Sequence, residues 1–389
     1  MRNIEPGGFN INFYQKILVN KVMDDSRLSY GQMTADFEKQ WAKIHQVKYA
    51  LFCNSGTSAL QVALHALKEI NGWSDDDEVI IPATTFVATM NIVLQNNMRV
   101  VFCDIDRRTF NLDPKSLEKK ITKKTKCLIV VHLLGQPAEM DKIMAIAKKH
   151  KLKVIEDSCE TVAATFKGKM VGSFGDLSCF STYASHIIVT GVGGFVCTSD
   201  PDLAMMVKGL YNHGRDGIYH SIDDDDNIQM VGNRFNFIHS GYSYRLTEME
   251  SALGLGHLKF LSKELSARLK NALTLTHGLK ELEKANYIVL PYIHPSASHS
   301  FMLYPIIIKE NRDEVVEYLE QNGIKTRYIM PLTNQPIVKK LFGEIEADYP
   351  NSAYINQHGI LIGCHPELSK TDLKYIIKVF LKYYEKFKS

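Results

Sequence analysis

Between about residues 48 and 200, short β-rich apolar runs alternate with segments whose apolar positions recur every three to four residues. The runs YALFCN, DEVIIP, RVVFCDI, KCLIVVHL, KVIEDS and GGFVCTS predict strands. SALQVALHALKEI, FVATMNIVLQN and EMDKIMAIAKKHK predict the helices between them, and QMTADFEKQ (32–40) opens an earlier helix that packs onto the same unit. This rhythm belongs to an α/β domain with a mostly parallel sheet. After Asp200 comes a helix and then an irregular polar section, HGRDGIYHSIDDDDNIQMVGNRFNFIHSGYSY, whose Asp223–Asp226 run reads as a solvated loop. Thr247 to Glu250 forms a capping box, predicting one long helix through SALGLGHLKFLSKELSARLKNAL. From about residue 285 the rhythm changes. YIVLP, SFMLYPIIIK, a helix near DEVVEYLEQNG, TRYIMPL and a last helix TDLKYIIKVFLKYYEKF predict a smaller α+β domain. The expected division is 1–250 for a large domain and 251–389 for a small C-terminal one, with no internal repeat.

Composition narrows the class of function. A chain of 389 residues, 45% hydrophobic, can build one large core and a second smaller one. The net charge of +3 comes from interspersed signs and leaves no electrostatic footprint for nucleic acid or an anionic membrane. No apolar stretch approaches a membrane span, and MRNIEPGGFN carries no secretory h-region, so a cytoplasmic protein is expected. Seven cysteines, an odd number with no CxxC pair, sit mostly in apolar runs and read as buried reduced thiols. The histidines lack HExxH or finger spacing, so no metal site is expected.

Several short segments can carry chemistry. Ser55–Ala59, SGTSA, follows a strand and opens a helix; it is either an ordinary capped turn or an anion site built from first-turn N–H groups and the Thr57 and Ser58 hydroxyls. Asp157 in IEDSCE ends a hydrophobic strand, at the edge where open α/β sheets bind ligands. It serves as a cap or salt-bridge partner, or it holds a protonated ring nitrogen. In STYASH, His186 stands beside hydroxyls, as a structural residue or as a base. TGVGG (190–194) leads into a strand, whereas a dinucleotide fingerprint follows one, which argues against a nicotinamide dehydrogenase.

Taken in order, these segments resemble the DegT/StrS family of pyridoxal-phosphate sugar aminotransferases. The resemblance runs from LSYGQMTADFEKQWA through NSGTSALQVAL, IPATTFVATMNIV, DIDRRTFNLDP, VHLLGQPAEMD, IEDSCE and FKGKMVGSFGD to GYSYRLTEMESALGLGHL and MPLTNQP, almost the whole chain. It implies the aspartate-aminotransferase-like fold, PLP fold type I: a large α/β domain with a mostly parallel central sheet plus a smaller α+β C-terminal domain. By the same resemblance Gly56, Thr57, Ser58 and Ser181 hold the cofactor phosphate, Phe86 stacks on the pyridine ring, and Asp157 pairs with its nitrogen. Ser243 stands where the family has an asparagine that reaches the neighbouring subunit's phosphate, and a homodimer with shared active sites is implied.

His186 aligns with the family's Schiff-base lysine. Imidazole forms no stable imine with the cofactor aldehyde, so covalent attachment is lost. Proton transfer remains open to a histidine near its reference pKa of about 6.5. One branch of the family carries this histidine: the 3-dehydratases of nucleotide-linked 4-keto-6-deoxyhexoses. Glu160, where the aminotransferases have glutamine, points the same way. The cluster-bearing dehydratases take iron–sulfur thiolates from a region where this chain has no cysteine between Cys197 and Cys364. Two positions depart from the branch, Ile187 for a second histidine and Val192 for a glutamate. The resemblance thus implies non-covalent pyridoxamine 5'-phosphate, exchanging with pyridoxal 5'-phosphate, a nucleotide-linked keto sugar as substrate and glutamate as amino donor, in deoxysugar or lipopolysaccharide biosynthesis. Transamination of the same substrates, or a silent cofactor-binding homologue, are the alternatives.

Overall fold

The computed structural model of the protein describes residues 3–216, 236–329 and 331–386. The Asp223–Asp226 run lies outside the described residues. Two helices, α1 (Phe13–Asp25) and α2 (Gln32–His45), precede the main sheet. The sheet strands are β1 (Tyr49–Cys53), β2 (Glu78–Pro82), β3 (Arg99–Cys103), β4 (Thr125–Val131), β5 (Lys153–Asp157), β8 (Leu177–Ser181) and β9 (Gly194–Thr198). A small hairpin, β6 (Thr165–Phe166) and β7 (Lys169–Met170), lies between β5 and β8. The sheet order is β1-β9-β8-β5-β4-β2-β3. From β8 through β3 neighbouring strands are parallel, whereas β9 runs antiparallel to both β1 and β8.

Helices α3 (Gly56–Asn71), α4 (Val87–Gln95), α5 (Pro114–Lys120) and α6 (Met140–His150) connect the parallel strands, and α7 (Pro201–Tyr211) follows β9. Side chains alternate across each strand. Ile129 therefore joins Leu60, Leu64 and Met90 on one face, while Leu128 and Val130 join Leu117, Met140 and Ile143 on the other. Burial on both faces is the reason these strands read as continuous apolar runs. The sequence pattern did not mark β8, LSCFS, as a strand because serine interrupts it. Its Ser178 hydroxyl donates to the Gly172 carbonyl at 2.7 Å, which satisfies the polar group inside the core.

The helix expected from Thr247 is present as two, α8 (Glu248–Leu258) and α9 (Leu261–Lys284). The capping box forms: the Thr247 N–H donates to Glu250 Oε2 at 3.1 Å, and the Met249 N–H to the Thr247 hydroxyl at 3.3 Å. The chain turns at Lys259–Phe260, where the Phe260 N–H donates to the His257 carbonyl at 2.9 Å. Leu261 packs with Phe37, Trp41 and Phe52 against the main sheet, whereas Ala272, Leu275 and Leu279 enter a second core. The turn lets consecutive helices serve two cores.

That second core belongs to β10 (Ile288–Val289), β11 (Tyr304–Ile308), β12 (Arg327–Tyr328) and β13 (Gly359–Ile362), antiparallel in the order β10-β11-β13-β12. Helices α10 (Arg312–Gln321) and α13 (Lys370–Glu385) pack in it and α12 (Pro350–His358) lies beside β11 and β13, whereas α11 (Pro336–Phe342) sends Val338 into the core of the main sheet. Ile4 also enters this core, through a bridge to Ile324. Among the described residues no helix is long and apolar enough to cross a membrane.

One buried carboxylate ties α2 to α8. Glu248 accepts the Met33 N–H at 2.8 Å and the Thr34 N–H at 3.2 Å, together with the Thr34 hydroxyl, so it caps α2 from another helix. Replacing it with alanine leaves buried donors unpaired. Glu248→Ala should cost about 2–3 kcal/mol, seen as a lower urea midpoint at unchanged m-value, and Glu248→Gln, which keeps an acceptor, should cost less.

Candidate active site

The strand directions gather the candidate residues on one edge. Parallel strands β1, β5 and β8 end there at Cys53, Asp157 and Ser181, and the reversed β9 starts there at Gly194. Gly194 pairs with both Cys53 and Ser181. A Cβ on Gly194 would lie 2.5 Å from the Gly56 nitrogen and the Ser55 carbonyl. One on Gly56 would lie 2.8 Å from the Ser181 Cβ and 2.9 Å from the Cys159 Sγ. Only glycine allows this approach, and it sets the N-terminus of α3 beside Ser181 and Cys159.

Ser55 caps α3: its Oγ accepts the Ser58 N–H at 3.0 Å and donates to the Ser58 hydroxyl at 2.9 Å. Gly56 and Thr57 follow as the first helical residues, whose N–H groups have no intrahelical acceptor. Thr57 is exposed at the mouth, Ser58 is buried, and buried Ser181 accepts the Tyr183 N–H at 3.3 Å. These donors and the helix dipole suit a dianionic phosphate.

Asp157 lies deeper and is buried. Thr89 donates to its Oδ2 at 3.0 Å, the Cys159 N–H to its Oδ1 at 3.2 Å, and Thr85 joins Thr89 at 2.8 Å. Burial raises the Asp157 pKa, while Cys159 and Thr89 pull it back only in part. A carboxylate so desolvated would be stabilised by a cationic partner such as a protonated ring nitrogen. Glu160 is half-buried and accepts the Leu134 N–H at 2.7 Å. Burial raises its pKa to about 7, against the Leu134 hydrogen bond and with the help of the Asp157 charge.

His186 lies in the connection from β8 to β9. Thr182 and Thr190 close the base of that connection through a hydroxyl pair at 2.6 Å and a Thr190 N–H to Thr182 carbonyl bond at 2.9 Å. The His186 N–H donates to the Tyr183 carbonyl at 2.9 Å. Its Nδ1 is buried with no hydrogen-bond partner in the structure. Burial lowers its pKa to about 4, opposed by the Ser181 backbone, so the ring is neutral at pH 7 but less basic than the free imidazole value expected from sequence. An unpartnered ring nitrogen is free to take a proton from a bound molecule.

The remaining two candidates are exposed. Phe86 caps α4 as an exposed ring, 55% accessible. Ser243 accepts a hydrogen bond from Arg245 at 2.9 Å, and Arg245 also lies 2.8 Å from His213.

Sequence reasoning missed the support beneath these groups. Thr85 and Thr89 share a helical spacing that could have marked them. Glu156 and Asp157 are adjacent, yet the strand turns them to opposite faces. Glu156 receives the N–H groups of Gly172, Phe174 and Gly175 at 2.6–2.8 Å and lies 3.1 Å from His132 Nε2. His132 Nδ1 accepts the Ala138 N–H at 3.0 Å, and the His132 N–H donates to the Asp157 carbonyl at 3.0 Å. Glu156 therefore fixes the floor on which Asp157 stands. Together, a helix N-terminus lined with hydroxyls and a buried carboxylate in need of a cation fit a molecule that carries both a phosphate and a protonated aromatic nitrogen.

Known proteins share this chain's sequence pattern and fold. Residues 13–381 match the model of the DegT/DnrJ/EryC1/StrS aminotransferase family. The chain is 34% identical to a GDP-perosamine synthase of Caulobacter vibrioides over 90% of this chain and 89% of that protein. It is 30% identical to the GDP-4-keto-6-deoxy-D-mannose 3-dehydratase of Yersinia pseudotuberculosis, over 94% of each. Its fold superposes on the Escherichia coli GDP-4-keto-6-deoxy-D-mannose-3-dehydratase with bound hydrated PLP, at a TM-score of 0.88 and 28% identity over 97% of this chain and 99% of that one. The main sheet and the second core are those of PLP fold type I, and the chain is an enzyme of the DegT/DnrJ/EryC1/StrS aminotransferase family.

Proposed function

We propose that this enzyme binds pyridoxamine 5'-phosphate non-covalently and acts as a 3-dehydratase of a nucleotide-linked 4-keto-6-deoxyhexose. The observation that carries this reading is His186, a neutral imidazole with a buried, unpartnered Nδ1, at the position that the resemblance assigns to the family's lysine. Similarity to proteins named for GDP-linked sugars supports the substrate class.

In this reading the Gly56 and Thr57 N–H groups, with the Thr57, Ser58 and Ser181 hydroxyls, hold the phosphate, and Phe86 covers the ring. Asp157 keeps the ring nitrogen protonated. When bound, the cofactor supplies an amine for the sugar ketone and an aromatic system that takes up electrons. His186 Nδ1 accepts the proton that must leave for those electrons to move. Glu160, about half protonated near pH 7, can deliver a proton toward the departing carbon-3 hydroxyl. Overall, the keto sugar loses one oxygen, and glutamate becomes 2-oxoglutarate and ammonia, which balances atoms and electrons. A second copy of the chain completes the site near Ser243, whose exposed hydroxyl is held by Arg245. The second reading, transamination of the same substrate class, is favoured by the family's description as aminotransferases.

Purified protein with pyridoxamine phosphate, glutamate and a nucleotide-linked 4-keto-6-deoxyhexose should release ammonia and a sugar one oxygen lighter, read by mass spectrometry. An amino sugar without ammonia would establish transamination instead. The pH dependence of kcat/KM should be bell-shaped. The His186 base form is lost only as pH falls through about 4, and the Glu160 acid form is lost as pH rises through about 7. Glu160→Gln should remove the alkaline limb and leave the acid limb in place. His186→Lys with excess pyridoxal phosphate should develop a visible absorption band that borohydride removes. A folded, colourless variant would place the attachment point elsewhere.

A further inference from the structure

The residues that aim His186 are not all in its own loop. Immediately after it, Ile187 and Ile188 are buried in the core that also holds Ala252 and Leu261. The next backbone group, the Val189 N–H, donates to His257 Nδ1 at 3.0 Å in a buried bond. With Nδ1 accepting, the His257 proton resides on Nε2, which faces Glu264 Oε2 at 2.8 Å. His257 ends α8 and is almost fully buried; Glu264 lies in the first turn of α9, whose later turns enter the second core. A carboxylate on one helix thus fixes a tautomer on another, and that tautomer grips the chain three residues beyond His186.

We propose that His257, oriented by Glu264, is a positioning residue that fixes the place and burial of the His186 ring by holding the Val189 backbone. This rests on the reading of His186 as the proton-transfer group. The arrangement follows the general pattern in which a second group sets the tautomer of a histidine. Here the oriented histidine touches only backbone and acts through it.

The test uses the full chain, first free of cofactor. Histidine-labelled protein is titrated by NMR, with His186 identified by the resonance missing from His186→Asn. In the unaltered protein His186 should stay neutral down to about pH 4, because its ring is buried. His257→Met fills the space but accepts no hydrogen bond, and the His186 titration should rise toward about 6.5 as the ring meets water. His257→Gln, with an acceptor for Val189 and a donor for Glu264, should restore the low value. Glu264→Ala, at the more exposed end of the pair, should move it in the same direction as His257→Met, and it serves if that variant does not fold. In the cofactor-loaded enzyme His257→Met should lower kcat by about tenfold to a hundredfold while KM stays within about twofold. An unchanged His186 titration in both His257→Met and Glu264→Ala overturns the proposal, even if stability falls. If the unaltered enzyme turns over no sugar, the proposed function fails, and the titration still decides the positioning role.

Discussion

The site depends on backbone packed against backbone where β1, β8 and β9 meet. Gly194 and Gly56 have no side chains, and the ladder brings their chains closer than any Cβ would permit. Because β9 runs opposite to its neighbours, its start lies at the edge where β1 and β8 finish. One reversed strand therefore delivers the N-terminus of α3, the Ser181 hydroxyl and the loop carrying His186 to a single place. A fully parallel sheet would put the first residue of that strand at the opposite edge.

Burial is the second organising influence, and it moves Asp157, Glu160 and His186 toward their neutral forms. Asp157 and Glu160 rise and His186 falls, each with desolvation as the largest cause. The groups differ in what answers that cost. Asp157 has two neutral donors and gains from a cation, Glu160 has one backbone N–H, and His186 has an unpartnered nitrogen. Glu156, by contrast, has three backbone donors and a histidine, and these make it architecture. Two neighbouring carboxylates thus acquire different work from the number of hydrogen bonds around each.

Much of the fold was legible because burial on both sheet faces leaves a plain signature. The six runs from YALFCN to GGFVCTS coincide with β1, β2, β3, β4, β5 and β9. β8 was hidden by Ser178, whose polarity is answered by a carbonyl brought close only by the fold. The single long helix after Thr247 was also a reasonable reading, since no proline marks its interruption. Its turn at Lys259–Phe260 reflects the demand of two separate cores on consecutive segments.

By itself the sequence determined the alternation of strand and helix, the small-residue turns where backbones meet, and the presence of a histidine among hydroxyl side chains at position 186. These are local matters of periodicity, steric size and chemical identity. Only the tertiary structure decided that Thr89 and Cys159 support Asp157, that Leu134 reaches Glu160, and that His257 holds the loop after His186. Those contacts join residues as many as 68 positions apart. Their effect arises from desolvation and hydrogen-bond direction, which exist only once the chain has closed around them.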